Sequence, residues 1–316
     1  MSPGYRSDTT TAVAAEPAAP EEKRGRRRLT DRQRAERKLA YLLCAPAVLA
    51  MVAVTAYPIA YALWLSLQRS DLRFPEQSEF VGLSNYITVL TAGAWWSSVW
   101  TTVVITVISV AIELVFGMIL ALVMHKAIFG RGVVRASILV PYGIITVVAA
   151  LAWQFMFTPS TGFLPYLSDE ALLTNTTGQY AAVIATEVWK TTPFMALLLL
   201  AGLAIVPDEL HEAAKVDGAT ALQRFFRITI PLMKPAILVA LLFRTLDAFR
   251  VFDSVFILTG GNLRTVSILG YDTLITRLNL GLGSAVSVLI FVCVLLIAMV
   301  FVKGFGVQAN QQAGGK

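Results

Sequence analysis

Apolar residues in this chain gather in long, rarely interrupted runs, not at the two-residue or four-residue spacings of half-buried strands and surface helices. Six runs reach the roughly 20 residues that an α-helix needs to cross about 30 Å of hydrocarbon. They cover 41–67, 97–124, 136–157, 180–205, 236–259 and 281–302. The pattern predicts an all-α polytopic membrane protein with six transmembrane helices. The longest connection between runs is 206–235, which leaves no room for a folded soluble domain. Composition agrees: over 316 residues, 56% are apolar and 15% charged, against roughly 25% charged in a soluble domain. A mean hydropathy of +0.68 excludes disorder for the bulk of the chain. Cys44 and Cys293 both lie inside apolar runs, which excludes a disulfide scaffold and a four-cysteine zinc site.

The Lys and Arg residues predict an orientation, because positive residues near span ends stay on the cytoplasmic side. Segments 1–40, 125–135, 206–235 and the stretch after 302 carry ten, three, four and two; the alternate segments carry two, none and two. Both termini are expected in the cytoplasm. The expected organisation is a disordered basic tail over 1–38, a six-span domain over 39–305 and a short cytoplasmic tail over 306–316. The run from Lys23 to Lys38 has no aromatic residue for base stacking and directly precedes a span, so it reads as a topology and inner-leaflet signal, with no nucleic-acid role. The first span is too long, and the stretch before it too polar, for a cleaved signal peptide.

Residues 206–235, VPDELHEAAKVDGATALQRFFRITIPLMKP, are unlike the other connections. Pro207 ends a span, Asp208 is placed to N-cap a short helix, and Glu209 sits in its first turn. Gly218 permits the left-handed backbone that stops that helix. Thr220 and Gln223 form a capping box for a second one, and Pro231 and Pro235 are expected to close the element. The expectation is two short helices joined at a glycine elbow. Ala213 and Ala214 are small where a lipid-facing helix needs bulky residues, which favours close approach by a protein partner.

Glu212-Ala213-Ala214, Gly218, Ile228 and Ile230-Pro231 resemble the EAA loop of ABC importer permeases. Asp217-Gly218-Ala219, Phe226 and Pro235 extend the resemblance to the maltose-type sugar branch, as do Phe252-Asp253 and Leu258-Thr259-Gly260-Gly261. Ile230 departs from the family's Leu, and Asn262-Leu263 departs from its small residue and proline. The resemblance implies the ABC type I importer permease fold, in which the loop transmits the stroke of a separate ATPase subunit through Glu212, Ala213, Ala214, Asp217, Gly218, Ile228 and Pro231. The chain itself has no G-x-x-x-x-G-K-[ST] motif. No cofactor is therefore expected in it, ATP and Mg being bound by partner ATPase subunits, and no catalytic or metal-binding residue is expected. His211-Glu212-Ala213-Ala214-Lys215 falls one residue short of a zinc-protease signature, with a cation where the second histidine belongs.

Ionisable residues within spans carry a functional expectation. Arg244, Asp247, Arg250 and Asp253 recur every three residues with alternating sign, so neighbours can pair along a helix. The stripe rotates, and all four cannot face one cavity. Arg244 and Asp247, near mid-membrane, are expected to line a path, with Arg250 and Asp253 as structural pairs; the competing reading makes the whole ladder structural. Glu187, Lys190 and Thr191 share a face of the fourth span, ahead of Pro193. The resemblance implies solute contact from the spans flanking the loop: Glu187, Lys190, Thr191, Arg244 and Asp247 for hydroxyls, Trp189 or Phe194 as an aromatic face. Glu113, Trp153 and Gln154 are weaker candidates, and Trp95, Trp96 and Trp100 read as interface anchors.

The resemblance further implies alternating-access import of a sugar, a disaccharide such as trehalose, across a bacterial plasma membrane. Its partners would be an ATPase dimer, a second permease, an extracytoplasmic sugar-binding protein and membrane lipid. Duplicating the charge ladder would crowd one pathway, which argues for asymmetry, but the sequence does not decide between a copy of this chain and a different chain as the second permease. The competing class is a secondary transporter or channel using the span charges without an ATPase.

Overall fold

The computed structural model describes residues 31–126, 130–159, 162 and 173–313; side chains are placed within 38–304 of these, apart from Arg131. The basic stretch before residue 31 lies outside the described residues. The chain divides into two compact units, residues 1–57 and 58–316. In the first, helix α1 (Asp31–Ser66) starts inside the predicted tail, and its apolar side chains, among them Leu42, Leu49, Met51 and Val54, are exposed. An apolar helix without a protein covering needs a non-aqueous one.

The second unit opens with the end of α1 and a hairpin of strands β1 (Gln68–Arg69) and β2 (Glu79–Phe80), antiparallel, with Gln68 opposite Phe80. Between them Asp71 accepts hydrogen bonds from the Arg73 guanidinium (2.9 and 2.6 Å) and the Arg73 backbone N–H (2.9 Å). Those bonds, the side-chain ones foremost, hold the Asp71 carboxyl at about 2, below its ordinary 3.8, and raise the Arg73 guanidinium. The helices that follow are α2 (Ser84–Thr91), α3 (Gly93–Lys126), α4 (Arg131–Gly143), α5 (Thr146–Phe157) and α6 (Thr176–Leu203). Then come α7 (Asp208–Val216), α8 (Ala221–Arg224), a π-helical segment (Phe225–Thr229), α9 (Ile230–Ala248), α10 (Asp253–Thr259), α11 (Val266–Tyr271) and α12 (Leu280–Ala313).

Among the described residues, five helices are long and apolar enough to cross a membrane: Lys38–Ser66, Gly93–Lys126, Thr176–Leu203, Ala221–Ala248 and Leu280–Gly304. The sixth predicted span, 136–157, is no single rod. It is the pair α4 and α5, bent by 85°. Pro141 lies in the last turn of α4, with no N–H to give the ladder, and Ile144 and Ile145 take extended ψ values of 135°.

The fifth span also differs from expectation. Instead of covering 236–259, the helix begins at the elbow and ends at Ala248. Pro231 and Pro235 do not close it: Pro231 falls in the first turn of α9, where a missing N–H costs little, and Pro235 is carried inside the helix. The π turn before it, closed by Ile230 N–H donating to Phe225 C=O, absorbs the change of register. Past Ala248 the chain turns at Phe249–Arg250, and Asp253 starts a new helix. The final helix runs to Ala313, through most of the predicted tail.

Lipid gives helices no hydrophobic reason to associate, so close backbone approach at small residues does that job. A Cβ on Gly117 of α3 would lie 2.7 Å from Met195 Cγ of α6, and one on Gly202 would lie 2.5 Å from Ala236 Cβ of α9. Around these approaches Val110, Met118, Leu199, Met233 and Ala240 form a buried cluster. A second cluster joins Phe157, Val183, Val255 and Leu258, and a third holds Trp95, Val89, Val266 and Val286. Trp95, expected at the interface, is thus a core residue, while Trp96 and Trp100 are exposed. Of the weaker candidates, Trp153 packs on the second cluster, and Gln154 Nε2 donates to Ile257 C=O at 2.7 Å, tying α5 to α10.

Candidate functional site

Three helices bring a buried charge cluster together. Arg244 on α9 is 1% exposed, Glu113 on α3 is fully buried and Glu187 on α6 is 6% exposed. The Arg244 guanidinium donates Nε to Glu113 Oε2 (2.5 Å), Nη2 to Glu113 Oε1 (3.0 Å) and to Glu187 Oε2 (3.2 Å), and Nη1 to Asp247 Oδ2 (2.7 Å). Thr191 Oγ1 donates to Glu113 Oε1 (2.8 Å), and Ser254 Oγ to Glu187 Oε1 (2.5 Å). A planar guanidinium with fixed donors suits this use, since isolated charges in a low-dielectric interior are costly and a paired, hydrogen-bonded set is tolerated.

Beside the cluster lies a cavity of about 430 Å³, within the size range of small-molecule sites. Glu187, Lys190 and Thr191 enter it from α6, Asp247 from the end of α9, and Arg250 and Asp253 from the turn and the start of α10. Tyr142, at the α4–α5 bend, and Phe252 give it aromatic walls. Lys190 Nζ sits 5.7 Å from the Tyr142 ring centre, a cation–π contact. The cavity therefore combines fixed cations, carboxylates, a hydroxyl and ring faces, which is a donor-and-acceptor set for a polyhydroxylated solute.

Several expectations change. Arg244 was expected to line the path; its guanidinium instead points away to α3 and α6, and Asp247, with 66% of its side chain exposed, takes the lining position. Arg250 and Asp253 were expected as structural ion pairs, but α9 ends before them. Among the described residues neither has an ion-pair partner within 4 Å, and both face the cavity. Trp189 and Phe194 do not line the cavity. Trp189 stands 200° around α6 from Glu187 and lines a separate apolar groove with Phe116 and Ile138, with the Trp153 ring 5.8 Å away. Phe194 stacks behind Tyr142 at 5.2 Å. Glu113, ranked low as a lone acid, is the bidentate partner of the buried arginine. Tyr142, Phe252 and Ser254 were missed; only the Pro141-Tyr142-Gly143 break signalled the first.

The second candidate element is the elbow. Asp208 falls at the first position of α7 with Pro207 as N-cap, so the expected side-chain cap is absent. The helix ends as expected. Gly218 takes φ +80°, its N–H donates to Lys215 C=O (3.0 Å), and Ala219 N–H donates to Ala214 C=O (2.9 Å). That is a Schellman closure, and a side chain at 218 would strain it. Thr220 accepts from Gln223 N–H (3.3 Å) and donates its own N–H to Gln223 Oε1 (2.8 Å), completing the capping box. Glu212, Ala213 and Asp217 are exposed and Ala214 is half-buried; Ile228 and Pro231 lie on the π segment and the first turn of α9. Among the described residues, no group of three or more His, Cys, Asp and Glu is placed to hold a metal ion.

Residues 87–306 match the family described as binding-protein-dependent transport system inner membrane component. The chain belongs to that family. The trehalose transport system permease protein SugA of Mycobacterium tuberculosis is 56% identical over 286 residues, 89% of this chain and 92% of that protein. The trehalose/maltose transport system permease protein MalF of Thermococcus litoralis is 39% identical over 281 residues, 85% and 94% of the two chains. Among solved structures, a bacterial alginate ABC transporter bound to an alginate-loaded periplasmic protein matches with a TM-score of 0.72 at 20% identity. The match covers 85% of this chain and 94% of that one, and it shows a shared fold. This inner-membrane component is thus a multi-pass plasma-membrane protein and a transport subunit. The family match spans the charge cluster, the cavity and the elbow.

Proposed function

We propose that this inner-membrane component is the permease subunit of an ATP-driven importer for a carbohydrate, in particular a disaccharide such as trehalose. The observation that carries the proposal is the family match over 87–306, within which the Asp208–Arg224 elbow continues directly into the span bearing Arg244 and Asp247. Separate ATPase subunits, holding ATP and Mg, dock on the elbow; Glu212, Ala213, Ala214, Asp217, Gly218, Ile228 and Pro231 receive them. The exposed Ala213 and Gly218 leave room for a partner surface. Both termini and the elbow face the cytoplasm, a reading supported by the distribution of Lys and Arg. An extracytoplasmic binding protein delivers the sugar and a second permease subunit completes the pathway.

Glu187, Lys190, Thr191 and Asp247, joined by Arg250, Asp253, Tyr142 and Phe252, contact the sugar. The relatives named for trehalose and trehalose/maltose transport support the substrate class, as does the pairing of charged donors and acceptors with ring faces. Alternating access follows as the ATPase dimer closes and draws the elbows together.

The test is reconstitution with the nucleotide-binding subunits. A stable complex whose ATP hydrolysis rises with trehalose-loaded binding protein is expected. Gly218→Pro, or Glu212→Ala with Ala213→Trp, is expected to abolish uptake while the protein stays in the membrane. Solute uptake by the purified chain alone, with no ATPase, would sink the proposal.

A further inference from the structure

At the elbow end of the molecule lies a larger cavity, about 590 Å³, that the transport pathway does not use. Its apolar wall comes from the ends of membrane helices: Leu122 of α3, Leu203 of α6, and Phe225 at the start of the fifth span. Its polar wall carries three cations, Lys126, Lys215 and Arg224, against one carboxylate, Asp208.

Among the described residues, none of these three cations has a carboxylate within 4 Å. Arg224 Nε is buried without a hydrogen-bond partner, and Arg224 Nη1 has only a 3.4 Å bond to His211 C=O. A buried guanidinium N–H left unsatisfied is costly. Its fork of donors, with two ammonium groups on the same cavity, matches a phosphate.

Helix α7 presents Asp208, His211 and Lys215 to this cavity, positions i, i+3 and i+7. At 100° per residue, Ala213 and Asp217 fall on the opposite face. An ATPase held through Ala213 and Asp217 would therefore leave the cavity face of α7 open, with Glu212, 40° from Asp208, at its edge.

We propose that this cavity is a binding site for an anionic phospholipid of the cytoplasmic leaflet. The phosphate sits between Arg224, Lys126 and Lys215, and an acyl chain lies along Leu122, Leu203 and Phe225. Basic pockets between membrane helices on the cytoplasmic side suit such headgroups, and the span-end residues supply what a soluble phosphate would not use. The proposal rests on the cytoplasmic placement of the elbow given above.

The test uses the assembled transporter, with its ATPase and second permease, and phosphatidylglycerol against phosphatidylcholine of the same chains in native mass spectrometry. Phosphatidylglycerol is expected to be retained about tenfold better, with the preference lost in Arg224→Gln/Lys215→Gln. Phosphatidylglycerol carrying a photoreactive acyl chain is expected to cross-link to peptides containing Leu122, Leu203 or Phe225. If the double variant does not assemble, Lys126→Gln at the end of α3 is expected to lower the preference about threefold. Equal retention of the two lipids, or cross-links confined to other surfaces, overturns the proposal. So does displacement by millimolar glycerol phosphate, which would assign the site to a soluble anion, or loss of the cross-link whenever the ATPase is bound, which would assign it to that subunit. Lipid retention with no sugar-stimulated ATP hydrolysis would count against the importer reading alone.

Discussion

Arg244 and Arg250 lie six residues apart and have opposite fates. Arg244 is buried and places four hydrogen bonds on three carboxylates, whereas Arg250 is exposed to the cavity with no ion-pair partner within 4 Å among the described residues. The helix end at Ala248 lies between them and makes the difference. Inside the helix, Arg244 is surrounded by α3 and α6 and must be neutralised. Beyond the end, Arg250 is freed from the helical stripe and turns to the water-accessible space. One charge type thus serves architecture on one side of a helix terminus and lines an open cavity on the other.

The comparison breaks most severely at Arg244. Replacing it with alanine leaves Glu113 and Glu187 buried without their cation, and a loss of about 3–5 kcal/mol is expected. Thermal unfolding of the purified complex and membrane abundance read this out; an unchanged Tm would demote the cluster to decoration. Glu113→Gln removes the bidentate acceptor and is expected to cost less, about 1.5–3 kcal/mol, again with lower Tm and lower uptake.

On the cavity side, Arg250→Gln is expected to raise the KM for uptake about tenfold while Tm stays put. A Tm drop matching that of the Glu113 variant would erase the distinction between the two groups. Thr191→Val separates the two roles of one side chain. Its bond to Glu113 is worth about 0.6 kcal/mol in a membrane interior, so a small Tm shift together with a larger KM shift is expected.

The smallest effect is at Asp71, outside the membrane. Its carboxyl titrates at about 2 in the folded turn and 3.8 ordinarily, so its contribution is present above pH 3.8 and is lost as pH falls through about 2. An isotope-edited infrared titration of the carboxylate is expected to show it ionised at pH 3. Arg73→Gln is expected to return it toward its ordinary value.

Much of the architecture was readable because its causes are local. Hydrophobic run length identified the membrane helices, and Gly218, Thr220 and Gln223 specified the elbow through the backbone groups they cap. What could not be read depended on tertiary context. Pro231 and Pro235 look like terminators, but Pro231 falls in a first turn behind a π segment and Pro235 is carried inside the helix. The repeat of Arg244, Asp247, Arg250 and Asp253 looks like one stripe only while the helix is assumed to continue. Glu113 and Arg244 are 131 residues apart, and no local pattern pairs them. Trp189 was misjudged because adjacency to Lys190 in sequence puts a side chain on a different helix face.

The unbroken run from α8 through the π segment into α9 has a mechanical meaning. From Leu222 to Arg244 is about 30 Å of helix, with no loop in which motion could be dissipated. The elbow and the charge cluster are the two ends of one lever. On the proposed function, a small displacement applied at Thr220 would be delivered at Arg244 as a tilt, and the stiffness of that arm, more than the strength of any single contact, would set how much of the stroke arrives.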